Sequence, residues 1–168
     1  IDFKLNDEIA DEKQIHFFGQ GDAPNAGGEF GIRVGNNMSS ENISGHYIRT
    51  AIHGNGGNFW YYNTHEISYD NSRHNIIATF DNVNKVMKIY FDYTLVATGS
   101  YTGAPWTVGA YDNRLVWSNN EANFDVYKMS AWDGTLLSES QISTYKFNID
   151  QEISASNTWD FDDAAGSA

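Results

Sequence analysis

Short segments rich in aromatic or β-branched residues recur along the whole chain, separated by Gly, Asn, Asp and Ser. Such residues suit the pleated, half-buried surface of a strand, and the residues between them tolerate the backbone of turns. About ten to twelve strands are expected, a number typical of a two-sheet sandwich or jelly roll and too large for a small barrel. The predicted strands cover residues 1–6, 14–20, 28–35, 46–52, 58–63, 74–81, 85–92, 94–99, 106–111, 124–132 and 145–150.

The clearest pair of strands is the hairpin at 74–92, "HNIIATFDNVNKVMKIYFD", in which two apolar runs flank a polar turn. In the second run Met87, Ile89 and Phe91 alternate with other residues and form one face, which predicts a stripe of core residues. The first run is apolar on both faces, since Ile77 stands behind the core-facing residues. This pattern is typical of a strand that is covered on both sides.

One segment breaks the strand pattern. In "LSESQIS", Ser138 is an N-cap candidate and Gln141 follows three residues later, the spacing of a capping box. The sequence therefore predicts one short helical turn near 137–143 in an otherwise all-β chain.

Length and charge limit the functions open to this chain. A chain of 168 residues is long enough for one domain with a sizeable core. Its 10 Lys and Arg against 22 Asp and Glu give a net charge of −12, which opposes binding to nucleic acid or to an anionic membrane surface. No apolar stretch approaches the length of a membrane span, so no membrane insertion is expected. Cysteine is absent, which excludes disulfides and thiolate metal sites.

The order and spacing of "HNIIATFDNVNKVMKIYFDYTLVATG", "WTVGAY" and "FDVYKMSAWDGTLLSESQI" resemble the concanavalin A-like, laminin G-like (LamG) superfamily. The resemblance covers about residues 1–145 and is most specific over 74–142. It implies an all-β, two-sheet antiparallel jelly-roll sandwich. One departure is that Tyr93 stands where the family has glycine. A wider turn or a bulge through Tyr93-Thr94 is therefore expected in place of a two-residue turn with positive φ.

The resemblance also bears on the ends of the chain. Residues 1–148 are expected to form the LamG-like jelly roll, followed by a terminal segment at 149–168. The family's opening strand motif is not found before Ile1, whereas "TWDFDDAAGSA" closes the chain. This segment is either the start of a second, similar domain or an edge strand that completes the sandwich, because an open sheet edge invites pairing. The chain is expected to be part of a larger chain or assembly.

Catalytic residue patterns are missing, so no enzyme is expected. Glycan cleavage needs two carboxylates that flank the scissile bond. Glu66 and Asp70 are the nearest pair, but a spacing of four does not place both on one strand in the usual alternate arrangement. There is no serine nucleophile elbow, zinc-protease motif or phosphate-binding loop, and the histidines lack ligand spacing.

Calcium is a candidate cofactor, because many relatives in the resembled superfamily hold one ion at the rim of the sandwich. Carboxylate and amide oxygens suit this hard cation. The candidate ligands lie in expected loops, and the alternative is that they are turn residues on an acidic surface. They are Asp112, Asn113 and Asn120, with Asp70 from another loop.

Aromatic residues mark a candidate binding surface. Sugar rings stack on aromatic faces, and Tyr and Trp also dominate protein interfaces. Candidate ligand-binding residues are Trp60 and Tyr62, on one face of "NFWYYN", and Tyr93, Tyr111 and Trp117 in or near loops.

The function expected from these residues and the resemblance is a noncatalytic recognition module that binds glycan, on a virion, at a cell surface or elsewhere outside the cell. The alternative is a structural decoration or assembly domain of a phage capsid or fibre, or of a multidomain adhesin. Such a domain would bind neighbouring protein subunits.

Overall fold

Two antiparallel β-sheets stack face to face, which confirms the predicted all-β jelly-roll sandwich. The computed structural model describes residues 1–20, 30–39, 42–53, 60–102, 113–118, 123–132 and 134–160. All strand pairs within these ranges are antiparallel. No helix within the same ranges has the length and apolar character needed to cross a bilayer.

The first sheet has six strands in the order β11-β10-β1-β6-β7-β8. The predicted hairpin supplies two neighbouring strands of this sheet, and β11 lies at one edge, paired with β10. The division of the chain into 1–148 and 149–168 stays a prediction. The strands are β1 (Asp2–Leu5), β6 (Arg73–Asp81), β7 (Val86–Phe91), β8 (Thr94–Ser100), β10 (Phe124–Ala131) and β11 (Asn157–Asp160).

The second sheet has five strands in the order β5-β4-β3-β2-β9. Its last strand was not predicted, because the run "NRLVWS" between asparagines was interpreted as part of a loop. The predicted strand at 106–111 lies outside the described residues. The strands are β2 (Lys13–Gln20), β3 (Phe30–Met38), β4 (Ile43–His53), β5 (Trp60–Glu66) and β9 (Asn113–Ser118).

The core fills the space between the two sheets. Phe3 and Phe17 face each other with ring centroids 4.8 Å apart, and both are fully buried. From the predicted stripe, Met87 and Ile89 are fully buried and Phe91 packs against the core from a partly buried position. The alternation seen in the sequence therefore identifies the inner face of β7 correctly.

The helical segment follows β10. Helix α1 (Glu139–Tyr145) starts at the predicted N-cap Ser138, and both hydrogen bonds of the capping box with Gln141 are present. A 3₁₀ turn (Lys146–Asn148) and α2 (Ile149–Glu152) continue it. The predicted strand at 145–150 is therefore wrong. Ile142 and Ile149 are seven residues apart, the spacing of one helical face, and both are buried in a single apolar cluster.

The turn between β7 and β8 also differs from the prediction. Phe91 pairs with Thr94, so the loop has only two residues, Asp92 and Tyr93, with φ of 47° and 66°. Positive φ at both positions defines a type I′ turn, in spite of the missing glycine. The Asp92 carboxylate accepts the Asn75 N–H at 2.9 Å, and the ring of Tyr93 packs on the helical cluster. These contacts offset the strain of two non-glycine residues in the left-handed region.

Candidate functional site

Polar side chains form a row across the outer face of the five-stranded sheet. The inner face of this sheet carries core residues such as Ile15, Val34 and Ile48, so their strand neighbours point outward. The strand register aligns His16 with Arg33, Arg33 with Arg49, and Arg49 with Thr64. We call these four residues the arginine row: His16, Arg33, Arg49 and Thr64.

Aromatic rings and a hydroxyl hold Arg49 in place. Its Cζ lies 4.3 Å from the centroid of the Tyr62 ring and 5.4 Å from that of Tyr47. Its Nε donates a hydrogen bond to Thr64 Oγ1 at 3.0 Å. The residue is only 4% exposed, and burial together with the charge of Arg33 lowers the pKa of Arg49 to about 10. Arg49 therefore remains a cation at neutral pH, with its guanidinium oriented by three side chains.

Arg33 provides a second, half-buried cation beside it. Its Nη1 donates to Gln14 Oε1 at 3.2 Å, and its Cζ lies 6.0 Å from the Tyr62 ring centroid. On the neighbouring strand, burial and the charge of Arg33 lower the pKa of His16 to about 4. His16 is therefore neutral at physiological pH, and the two arginines carry the positive charge of the arginine row.

Small residues lie on both sides of the arginine row. In the next register row, Gly31 pairs with Ala51, and Ala51 with Tyr62, whose side chain is 41% exposed. On the other side, Gly35 pairs with Tyr47, and a Cβ at Gly35 would lie 2.5 Å from the Tyr47 hydroxyl oxygen. Gly35 thus makes room for the buried Tyr47 ring. We call Arg33, Tyr47, Arg49 and Tyr62 together the arginine–tyrosine surface.

The predicted ligand-binding residues divide between this surface and other places. Tyr62 belongs to it, and Trp60 begins the same strand two residues earlier. Trp117 pairs with His16 in the strand register, and Tyr111 lies outside the described residues. Tyr93 lies on the other sheet, partly buried against the helical cluster, and the structure does not bring it near Tyr62. Burial and nearby carboxylates raise the pKa of Tyr93 above its usual value.

The predicted calcium ligands are not brought together within the described residues. Asn113 is the first residue of β9, whereas Asp112 and Asn120 lie outside the described ranges. Asp70 Oδ1 accepts the Ser72 N–H and a hydrogen bond from His74 Nε2, each at 2.9 Å. In the part of the chain that the structure describes, no group of three His, Asp or Glu side chains is arranged to hold a metal ion. Calcium stays a prediction.

His74 links two turns of the six-stranded sheet. Its Nδ1 lies 2.9 Å from Asp92 Oδ2, and its ring stacks on Phe91 at 4.7 Å. Burial lowers the pKa of His74, but the hydrogen bonds with Asp92 and Asp70 outweigh burial and raise it overall. The hydrogen bond from His74 also lowers the pKa of Asp70. These hydrogen bonds hold the two turns in place, and they give Asp70 a structural contact.

Sequence reasoning missed the arginine row. In "GIRVG" and "YIRTA" each arginine occupies the outward position of an alternating strand, which is an ordinary place for a charged residue. Nothing within either segment shows that the two strands pair, or that the arginines stand opposite each other. Only the alternation, which places both on an outward face, was available as a signal.

Comparison with known proteins gives a likeness in fold. No family model matches the chain, and no curated protein matches it. Among solved structures, the chain is similar to a protein described as "Ruminococcus gnavus IT-sialidase CBM40", with 16% identity and a TM-score of 0.46. The match covers 69% of this chain and 59% of that chain, so this chain spans less than two thirds of that protein's length.

Proposed function

We propose that this chain is a noncatalytic module that binds glycan on its arginine–tyrosine surface. The observation that carries the proposal is the Tyr62 ring, which is 41% exposed and is contacted by the Arg49 guanidinium. A pyranose ring stacks on such an aromatic face, and the neighbouring polar groups hydrogen-bond its hydroxyls.

The carboxylate pair that comes nearest to a catalytic arrangement in the sequence is Glu66 and Asp70. Glu66 is exposed at the end of β5. Asp70, its predicted partner, accepts hydrogen bonds from His74 and Ser72, and its pKa is lowered. A general acid needs the opposite, a carboxyl group whose pKa is raised so that it holds a proton. The pair therefore does not provide the acid and the base that glycan cleavage requires.

Other parts of the hypothesis remain proposals. They are membership of the LamG-like superfamily, a location on a virion, a cell surface or elsewhere outside the cell, a bound calcium ion, and a place in a larger chain or assembly. Binding to neighbouring protein subunits is the alternative function, and the same exposed tyrosine could serve it.

The decisive test compares two tyrosines of similar exposure on opposite sides of the molecule. Tyr62 is 41% exposed on the five-stranded sheet, and Tyr145 is 37% exposed on helix α1. The full chain and the variants Tyr62→Ala and Tyr145→Ala are applied to a glycan array with and without calcium, and hits are measured by titration calorimetry. We expect Tyr62→Ala to weaken binding about tenfold or more, and Tyr145→Ala to leave it unchanged.

Absence of binding to every glycan, with and without calcium, would contradict the proposed function. Equal losses in both variants would contradict the location of the site. Formation of a defined oligomer that Tyr62→Ala dissociates would support the alternative of protein neighbours.

A further inference from the structure

Two N-glycosylation motifs flank the loop between β3 and β4. Asn37 is followed two residues later by Ser39, and Asn42 by Ser44, with no proline between them. The pattern Asn-x-Ser is the acceptor of an N-linked glycan, a bulky polar group that needs a surface position. Both asparagines have positive φ, 41° at Asn37 and 56° at Asn42, a conformation that asparagine tolerates. The backbone therefore does not distinguish the two sites, but the side-chain contacts do.

The side chain of Asn37 is built into the fold. Its Nδ2, the atom that a glycan would occupy, donates to Asp11 Oδ1 at 2.6 Å, and its Oδ1 accepts the Gly45 N–H at 2.5 Å. The residue is half-buried, and the bond to Asp11 joins it to the loop between β1 and β2. A glycan would replace one of the two hydrogens of Nδ2 and place a bulky group against that loop. The folded chain therefore disfavours a glycan at Asn37.

The side chain of Asn42 has no such contacts. Asn42 and Ser44 are both exposed, whereas Ile43 between them is half-buried and pairs with Met38. The backbone N–H of Asn42 donates to the Ser39 carbonyl at 3.2 Å, which fixes the turn that presents the side chain. Among the residues that the structure describes, none forms a hydrogen bond with the Asn42 side chain. A glycan on this asparagine therefore displaces no contact of the described fold.

We propose that Asn42 is a modification site, at which this chain accepts an N-linked glycan, and that Asn37 is not. The donor is an oligosaccharide on a lipid diphosphate, in a compartment that holds the transferase. A bond forms between Asn42 Nδ2 and C1 of the first sugar, and the bond between C1 and the diphosphate oxygen breaks. The lipid diphosphate leaves, and Nδ2 loses one proton to a base of the transferase. Asn42 keeps its carbonyl oxygen and its second N–H.

A glycan at Asn42 lies far from the tyrosine proposed for recognition. Asn42 directly precedes β4, and Ala51, the register partner of Tyr62, lies near the other end of that strand. At the rise of an extended strand, Asn42 and Ala51 are about 25–30 Å apart. The modification therefore concerns one end of the sheet and the proposed function the other, so either proposal can fail without the other.

The test is secretion of the full chain from a eukaryotic cell, behind a signal peptide that is removed. An amidase then releases N-linked glycans and converts each glycosylated Asn to Asp, so peptide mapping by mass spectrometry locates the modified residue. We expect Asn42 to carry a glycan in most of the secreted chain and Asn37 in almost none of it.

Two matched serine variants assign the glycan to its motif. Ser44→Ala removes only the motif of Asn42 and should abolish the modification. Ser39→Ala removes only the motif of Asn37 and should leave the modification unchanged. Because the Ser39 N–H donates to Glu12, thermal unfolding of each variant, made without glycan in bacteria, checks that the fold is kept.

The outcomes decide the two parts of the proposal. A secreted chain without a glycan on either asparagine overturns the assignment of Asn42. A glycan on Asn37 in a secreted chain that melts at the same temperature as the bacterial chain overturns the exclusion of Asn37. A glycan confined to Asn42, or one on Asn37 that lowers the melting temperature, supports the corresponding part.

Discussion

The two outward faces of this sandwich differ in what covers them. On the six-stranded sheet, Ile77 and Tyr90 point outward and are buried under a cap of short helices that supplies Ile142 and Ile149. On the five-stranded sheet, the corresponding outward positions carry the arginine–tyrosine surface. The first face is closed by apolar packing within the chain, whereas the second carries a buried Arg49, a half-buried Arg33 and the exposed Tyr62 ring. One outer face thus serves stability, and the other is the face that we propose for recognition.

Polar contacts fasten the helical cap to its sheet. Lys128 of β10 forms an ion pair with Asp150 of α2 at 2.5 Å. Trp132 Nε1 donates to the Ile153 carbonyl at 2.7 Å. The first contact joins α2 to β10, and the second joins the residues that directly follow these two elements, so the cap is anchored near the edge of the sheet as well as over its apolar centre.

The largest effect is expected where the apolar cap is broken. Ile142→Ala leaves a cavity between α1 and the sheet and should lower the free energy of unfolding by about 2–5 kcal/mol. Leu136→Ala, at a side chain that is 51% exposed, is the control and should change stability far less. Urea denaturation measures both. If the folded Ile142→Ala variant also lost glycan affinity, the proposed separation of roles between the two faces would be wrong.

A smaller effect, on the other face, is expected from Gly35→Ala. The new Cβ would lie 2.5 Å from the Tyr47 hydroxyl oxygen, so the ring must move, at a cost of about 1–3 kcal/mol. Because Tyr47 packs against Arg49, the affinity for glycan should fall as well. Gly99→Ala on β8 is the matched control, since its Cβ would meet Asn63 at 3.4 Å, close to ordinary contact. Unchanged affinity in Gly35→Ala would show that Tyr47 does not position Arg49.

Loss of the N-cap of α1 should lower the free energy of unfolding by less than Gly35→Ala does. Ser138→Ala removes both the acceptor for the Gln141 N–H and one half of the capping box, which lowers the free energy of unfolding by about 1 kcal/mol. Ser143→Ala, inside the same helix, keeps the cap and is the comparison. Thermal melts of the two variants should differ in midpoint, and coincident midpoints would mean that packing alone holds α1 in place.

The smallest effect concerns pH and the His74 contacts. The folded-state pKa of His74 is raised, so its contribution to stability is present below the ordinary value of 6.5 and is lost as pH rises through the folded-state pKa. The pKa of Asp70 is lowered, so its contribution is present above the ordinary value of 3.8 and is lost as pH falls through its folded-state pKa. The contacts should therefore stabilise most between these two ordinary values.

Urea denaturation of the unaltered chain and of His74→Gln across this range measures the effect. The difference in stability between the two proteins should shrink from a pH of about 5.5 to one of about 8.5. A constant difference would assign the role of His74 to its stacking on Phe91 alone.

Features encoded by neighbouring residues were predicted well, and features that depend on distant segments were not. The stripe of Met87 and Ile89 and the capping box at Ser138 both follow from local spacing, and both are present. The turn at Asp92-Tyr93 was predicted wrongly. Its stability depends on Asn75 and on the helical cluster, which lie elsewhere in the chain. Local turn preferences alone therefore favoured a wider loop.

The candidate site shows the same division. Tyr62 was identified from its aromatic segment, because exposed rings are common at binding surfaces whatever the fold. Arg33 and Arg49 were not identified, since each is an unremarkable outward residue of its own strand. The structure places them opposite each other and under one tyrosine ring.

By itself, the sequence determined the period of the strands, the inner face of the hairpin and the start of the helix. These properties depend on side chains a few residues apart, whose relative directions are set by backbone geometry alone. Only the tertiary structure decided which residues meet across strands and which outer face the helices cover. Strand register and sheet stacking depend on the apolar surface buried across the whole core, which no short segment of the sequence determines. The cation pair at Arg33 and Arg49 is a product of that register.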